Sequence, residues 1–207
     1  MAPTGKRARA LGRILIAAGL TVASGQLPRP TGALHTHELH ELYRNLGGLL
    51  DSPRWRPGGW DLIFEGPIVV ELDEQLHFNR YRAQTLQTTW TVGLPWADAY
   101  RAFCAEHEAR CLRDGRGQQR WSNASCARNF AGGPPGDLAA GAPRWKQRAF
   151  YDALKDTAVV TGLSLSLARL SIYDTIDGML VDDLLEGRCV VKPASVLQFV
   201  VQRMAKS

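Results

Sequence analysis

A mixed α/β domain, with a central sheet covered by helices, is predicted by three features of the sequence. The runs Trp60-Asp61-Leu62-Ile63-Phe64 and Ile68-Val69-Val70-Glu71-Leu72-Asp73, separated by a Gly66-Pro67 break, read as two strands joined by a tight turn. The second run is apolar on both faces as far as Glu71, the pattern of a strand covered from both sides. Helical periodicity follows over Pro143 to Val160, where Phe150, Ala153, Leu154 and Ala158 form an apolar face. At 207 residues and 45% hydrophobic content, the chain supports one well-buried core and requires no second domain, so 1–207 is expected to form a single domain.

Residues 1–8 read as a disordered basic tail, and Ala10 to Ser24 has the composition of a helix that Pro28 and Pro30 break. Lys6, Arg7 and Arg9 ahead of the apolar run Ile14 to Ala23 also resemble a weak secretory signal, although Arg13 interrupts the run and an amphipathic helix is preferred. Thr36 to Leu50 carries Leu39, Leu42, Tyr43 and Leu46 at helical spacing, with Thr36 as an N-cap and Gly47 and Gly48 weakening its end. A helix from about Phe78 to Thr89 follows the two strands. From Leu94 to Ala142 the composition shifts to glycine, arginine, cysteine and proline, which marks an inserted irregular and helical subdomain with its own helix at Ala97 to Leu112. Leu165 to Tyr173 reads as a strand, and the chain closes on a strand and helix mixture through Val196 to Met204. No stretch approaches the length of a membrane span.

Basic residues outnumber acidic ones by 25 to 20, and many sit in the middle of the chain: Arg110, Arg113, Arg116, Arg120, Arg128, Arg144, Lys146 and Arg148. Such a cluster suits nucleic-acid phosphates, and a plain solvated face is the alternative. Four cysteines without a paired spacing are too few for a disulfide framework, which makes a reducing, cytoplasmic compartment the default. Cys104, His107 and Cys111 fall on one helical stripe, and Cys126 could add a fourth ligand for a structural Zn²⁺; a core-facing helix explains the same spacing. His35, His37 and His40 crowd Glu38 and Glu41 at a helix start, where a solvated helix end is the simpler reading.

Side chains alternate along a strand, so Glu71 and Asp73 share a face. A three-residue turn over Glu65 to Pro67 would set Asp61 opposite Glu71 and bring all three carboxylates together. Acids gathered on an apolar strand need a cation, and strand-end acids that face solvent and pair with arginines such as Arg80 and Arg82 are the alternative. Oxygen-only ligands select Mg²⁺ or Mn²⁺, and such a site suits phosphodiester hydrolysis.

The string Ile68 to Phe78, an apolar strand followed by Glu71-x-Asp73 and then His77, resembles the core of the PD-(D/E)XK, or restriction-endonuclease-like, superfamily, and within it the very-short-patch-repair-like endonuclease branch. Pro143 to Asp174 resembles, more loosely, the closing helix and strand of that core. The resemblance implies a metal-dependent nuclease acting on DNA, in repair or restriction, with Asp61 and Glu71 as metal ligands and His77 near the scissile phosphate. Asp73 stands where the family carries its lysine, and Lys146, on the sheet side of its helix with Arg148 and Lys155 pointing away, is the candidate substitute, a helix-start lysine that snorkels to water being the alternative. In the family an acid of the first core helix can join the metal site, which makes Glu38 or Glu41 a candidate for an outer role. A nuclease-fold protein that has lost the chemistry and acts as a nucleic-acid-binding or scaffolding module is the alternative.

Overall fold

The computed structural model describes residues 5–25, 27, 36–115, 121–160 and 165–206. Its centre is a four-stranded mixed sheet in the order β1 (Leu62–Phe64), β2 (Ile68–Asp73), β3 (Ser166–Ser171) and β6 (Met204–Lys206). β1 and β2 form the predicted hairpin with Phe64 opposite Ile68 and Leu62 opposite Val70, so the turn takes Glu65, Gly66 and Pro67. Gly66 occupies positive φ (87°), a conformation that a side chain would strain. β3 runs parallel to β2, with Glu71 beside Arg169 and Asp73 beside Ser171, and β6 closes the far edge antiparallel to β3.

A parallel pair requires a long crossover, and the 18-residue helix α6 (Pro143–Val160) leads into β3 with the predicted bounds. Strand alternation separates the two faces of the sheet. Leu62 and its partner Val70 turn toward α1 (Lys6–Ala17), where Gly12 permits close approach: a Cβ there would lie 3.1 Å from Leu62 Cδ2. Val69, Glu71 and Asp73 turn the other way, toward α6. The helices α3 (Arg80–Thr85) and α4 (Ala97–Asp114) pack against each other, and α3 packs against α6. Asn79 caps α3, its side chain accepting from the backbone N–H groups of Tyr81 and Arg82.

Several segments differ from expectation. Lys6 to Ala8 belong to α1 rather than to a disordered tail, because Lys6 and Arg7 pair with Glu186 (2.7 and 3.1 Å) and Arg7 with Asp182 (2.8 Å). Residues 1–4 lie outside the described residues. α1 stops at Ala17, short of Ser24, and Thr21 to Ala23 then run along β1, with Glu65 N–H donating to Thr21 O (2.9 Å) and Ala23 N–H to Ile63 O (3.1 Å). α2 starts at Thr36 and ends at Asn45, ahead of Gly47 at φ +82°. The helix expected over Phe78 to Thr89 is shortened to α3, with a 3-10 turn before it at Gln75–His77 and a second 3-10 turn after it at Thr89–Gly93. The closing mixture resolves into β4 (Thr175–Ile176), β5 (Met179–Leu180), α7 (Val181–Leu185), α8 (Pro193–Gln202) and β6. Among the described residues, no helix is long and apolar enough to cross a membrane.

The segment Leu94 to Ala142 contributes Tyr100, Cys104, Trp121 and Phe130 to the same hydrophobic cluster as the strands. Phe150 of α6 lies at the centre of an aromatic group, its ring 5.1 Å from Trp55, 5.5 Å from Tyr43 and 6.1 Å from Phe130. Truncating Phe150 to alanine removes these contacts and leaves a cavity, so Phe150→Ala is expected to lower the unfolding free energy by about 3–5 kcal/mol in urea titrations. A loss below about 1 kcal/mol would show that the cluster is not the anchor of α6.

Candidate functional site

The hairpin register sets Asp61 one position beyond the Leu62–Val70 pair, opposite Glu71. The two residues are interlocked. Asp61 N–H donates to Glu71 Oε1 (3.0 Å), and Leu72 N–H donates to Asp61 Oδ2 (3.1 Å), so each acid satisfies a backbone donor of the other strand. Glu71 is buried while Asp61 keeps some exposure. From α6, Lys155 Nζ reaches Glu71 Oε2 at 2.6 Å and lies 5.6 Å from the centre of the Trp60 ring. Burial raises the Glu71 pKa to about 7; Lys155 opposes the rise and Asp61 adds to it. Lys155 is held charged, its burial outweighed by Glu71.

Asp73 takes a different course from the one predicted. Both of its oxygens accept from Arg169 Nη1 (3.0 and 2.8 Å), and Oδ1 also lies 3.1 Å from His77 Nδ1. Arg169 extends the set into α6 and α3. Its Nε donates to Asp156 Oδ1 (2.7 Å), whose Oδ2 lies 2.8 Å from Arg82 Nη1, and its Nη2 donates to the main-chain oxygen of Asp152 (3.2 Å). His77 Nδ1 lies 2.8 Å from Asp152 Oδ2. Burial alone would raise the pKa values of Asp73 and Asp152, but Arg169 and His77 hold both below the ordinary carboxylate range. Two ionised carboxylates can only accept, so Nδ1 carries the proton between them and Nε2 takes part in neither contact. Among the described residues, Asp73, His77 and Asp152 are the group of metal-capable side chains whose ligand atoms converge, within 4.8 Å of one another; Asp61 and Glu71 do not join Asp73 there.

The positions of the α6 lysines reverse the expectation. Lys146 Nζ donates to Ala131 O (2.8 Å), away from the carboxylates, and burial lowers its pKa. Lys155 is the lysine at Glu71. α6 is buried around nearly its whole circumference from Ala149 onward, so an apolar stripe does not single out the face that meets the sheet. Arg148, Asp152, Lys155 and Asp156, at helical spacing, were the available signal for a charged stripe directed at the acids of β2. Arg169, alone on its strand, had no such pattern to mark it.

The proposed zinc residues do not form a metal-capable group among the described residues. Burial pushes Cys104 up to about 11 and Cys111 up to about 12, away from the thiolate form that zinc takes. His107 stacks on Tyr173 with ring centres 3.6 Å apart, and Cys126 Sγ accepts from Asn123 N–H at 2.9 Å in the N-terminal cap of α5 (Ala124–Asn129). Glu38 and Glu41 line an open groove of about 400 Å³ with Gln84, Gln87 and Trp90, which none of the acids of β2 lines. His35, Arg116 and Arg120 lie outside the described residues.

Fold and site together define a mixed α/β protein whose sheet carries a buried, cation-paired set of carboxylates beside one partly exposed acid. A model for a family of unknown function, DUF7255, matches residues 41–187, and the chain belongs to that family. The matched span holds every residue of the charged network. No curated protein and no solved structure matches the chain.

Two expectations follow. Arg169→Met strands Asp73 and Asp156 without their guanidinium and should cost about 3–5 kcal/mol of unfolding free energy in urea; a loss below about 1 kcal/mol would mean that water replaces the arginine. For Glu71 the folded protein holds its proton from the ordinary value of 4.5 up to about 7. In metal-free buffer its contribution to stability is therefore present below pH 4.5 and lost as pH rises through 7. The wild type should lose up to about 3 kcal/mol relative to Glu71→Gln across that window, and a pH-independent difference would contradict the burial of a weak acid.

Proposed function

We propose that the chain is a metal-dependent nuclease hydrolysing phosphodiester bonds of DNA, built on a restriction-endonuclease-like core. The observation that carries this reading is the meeting of Asp61, Glu71 and Lys155 at the end of the β1–β2 hairpin. Acid, acid and lysine are the chemistry that the sequence resemblance implies, and here the lysine arrives from α6 instead of from the strand. The crossover through α6 to a strand parallel with β2 supports the same core.

The donor set fits a hard divalent cation. Asp61 and Glu71 offer oxygen only, Asp61 is accessible, and Glu71 is under-neutralised enough to titrate near 7. Asp61 and Glu71 would hold Mg²⁺ or Mn²⁺, which supplies Lewis acidity at a phosphoryl oxygen. Lys155 places a fixed positive charge beside them, where negative charge develops on the phosphate. His77, with Nδ1 anchored by Asp152 and Asp73, presents Nε2 for proton transfer. Asp73 is taken up by Arg169 and serves to hold His77, not to bind metal.

One observation favours a non-catalytic, nucleic-acid-binding member of the same fold: Glu71 and Asp73 are already paired with internal cations, Lys155 and Arg169. Metal titration separates the two, since a binding module shows no Asp61-dependent uptake of Mn²⁺. The hydrolytic reading expects Mg²⁺- or Mn²⁺-dependent cleavage of plasmid or single-stranded DNA by purified protein, lost in Asp61→Asn and Glu71→Gln and reduced about 100-fold or more in Lys155→Ala. Absence of cleavage, or cleavage that survives in Asp61→Asn, would sink it.

A further inference from the structure

Among the described residues, every arginine drawn partly or wholly out of solvent pairs with a carboxylate, as Arg7, Arg82, Arg101, Arg110, Arg169 and Arg203 do, except two. The exceptions are Arg144 and Arg148, one turn apart on α6. Arg144 Nη1 donates to Gln147 Oε1 (3.0 Å), and Arg148 Nη1 donates to Leu76 O (3.1 Å), on the turn that carries His77. The natural neutralising partner for Arg148 is Asp152, one turn further along the helix, but that carboxylate is committed to His77 and Arg169. Burial and the neighbouring Arg144 both lower the proton affinity of Arg148, the mark of a cation short of counter-charge. A partly desolvated guanidinium pair without an acid is costly unless an anion completes it.

We propose that Arg148 and Arg144, with Arg148 bonded to the turn that carries His77, form a binding site for a backbone phosphate of nucleic acid. The anion chemistry stands on these contacts; the choice of nucleic acid as its source rests on the nuclease reading above. The site lies on the same helix as Lys155, about 10 Å along the axis from Arg148 by the rise per residue, so a strand whose phosphate sits at Arg148 continues toward Asp61 and Glu71. Planar guanidinium groups suit the tetrahedral oxygens of phosphate, and none of these contacts reads a base, so the site positions the strand without selecting its sequence.

Binding of a fluorescein-labelled oligothymidylate to the full chain is measured by anisotropy in EDTA over a range of salt, which removes any dependence on cleavage. Arg148→Gln is expected to weaken binding about five- to ten-fold and to lower the salt slope by about 0.7, and Arg144→Gln to act in the same direction. Arg148→Lys, which keeps the charge, should keep the slope and guards against a folding defect in Arg148→Gln. Arg13→Gln, exposed on α1 across the sheet, should change neither quantity. Equal losses in Arg13→Gln and Arg148→Gln, or unchanged binding in Arg148→Gln, would overturn the site. With inorganic phosphate as the probe, Arg148-dependent shifts of the His77 imidazole resonances together with oligonucleotide binding support it, and phosphate binding without oligonucleotide binding overturns the nucleic-acid assignment. Retained Arg148-dependent binding in a protein that cleaves nothing sinks the hydrolytic reading alone.

Discussion

The guanidinium of Arg169, wholly buried on β3, joins the sheet to α6 through four groups at once: both oxygens of Asp73, Asp156 Oδ1 and the main chain of Asp152. Arg82 completes Asp156 from α3, so one charged centre ties β2, β3, α3 and α6 together. Dispersion and hydrophobic burial set the scale of stability, but they are tolerant of small rotations of a helix over a sheet. A guanidinium with directional donors is not. Rotating α6 by a fraction of a turn would leave Asp152, Asp156 or Arg169 buried without a partner, and that penalty fixes which face of the helix meets the strands.

The same charge balance explains why the two acids of β2 part company although they share a strand face. Asp73 sits level with Ser171, close enough to Arg169 for the guanidinium to hold both of its oxygens. Glu71 pairs in register with Arg169 itself, yet its carboxylate turns to Lys155 and to the backbone of Asp61. One acid is therefore strongly neutralised and ionised; the other is weakly neutralised and titrates near 7. Environments that push neighbouring carboxylates apart in acidity are how a fold separates a structural acid from one available for chemistry.

What the sequence made readable was local. The hairpin register followed from Gly66-Pro67 and strand alternation, and it placed Asp61 against Glu71 correctly. The bounds of α6 were equally plain. The partners of those acids were not, because they come from residues 80 to 100 positions away: Lys155, whose charge looks on a helical wheel like part of a solvated stripe, and Arg169, a lone charge within an apolar strand. Lys155 and Lys146 illustrate the difficulty. Both are lysines on an amphipathic helix, and choosing the inward one by its apolar neighbours fails when the helix is covered on all sides and the inward stripe is the charged one. Arg7 presents the same problem at the other end of the chain: a basic run that reads as a tail becomes a helix once Asp182 and Glu186 are in place to receive it.

On the proposed hydrolytic reading three positive species would compete for the Glu71 carboxylate: a proton, the Lys155 ammonium and a divalent cation. The proton wins below about 7 and the ammonium above it, so any cation bound through Glu71 must displace Lys155 from Oε2 or share the group through Oε1, which the Asp61 N–H already occupies. Sharing is the less costly route, since a carboxylate has lone pairs beyond those two contacts and Asp61 has an oxygen, Oδ1, outside its bond to Leu72. Lys155 would then keep its bond to Glu71 and place its charge beside the acids that would hold the cation. A site organised in this way is poised by its own burial: exposing Glu71 would lower its pKa and strengthen its claim on water, while the burial that makes it a weak acid is also what makes a divalent charge worth more there than in solvent.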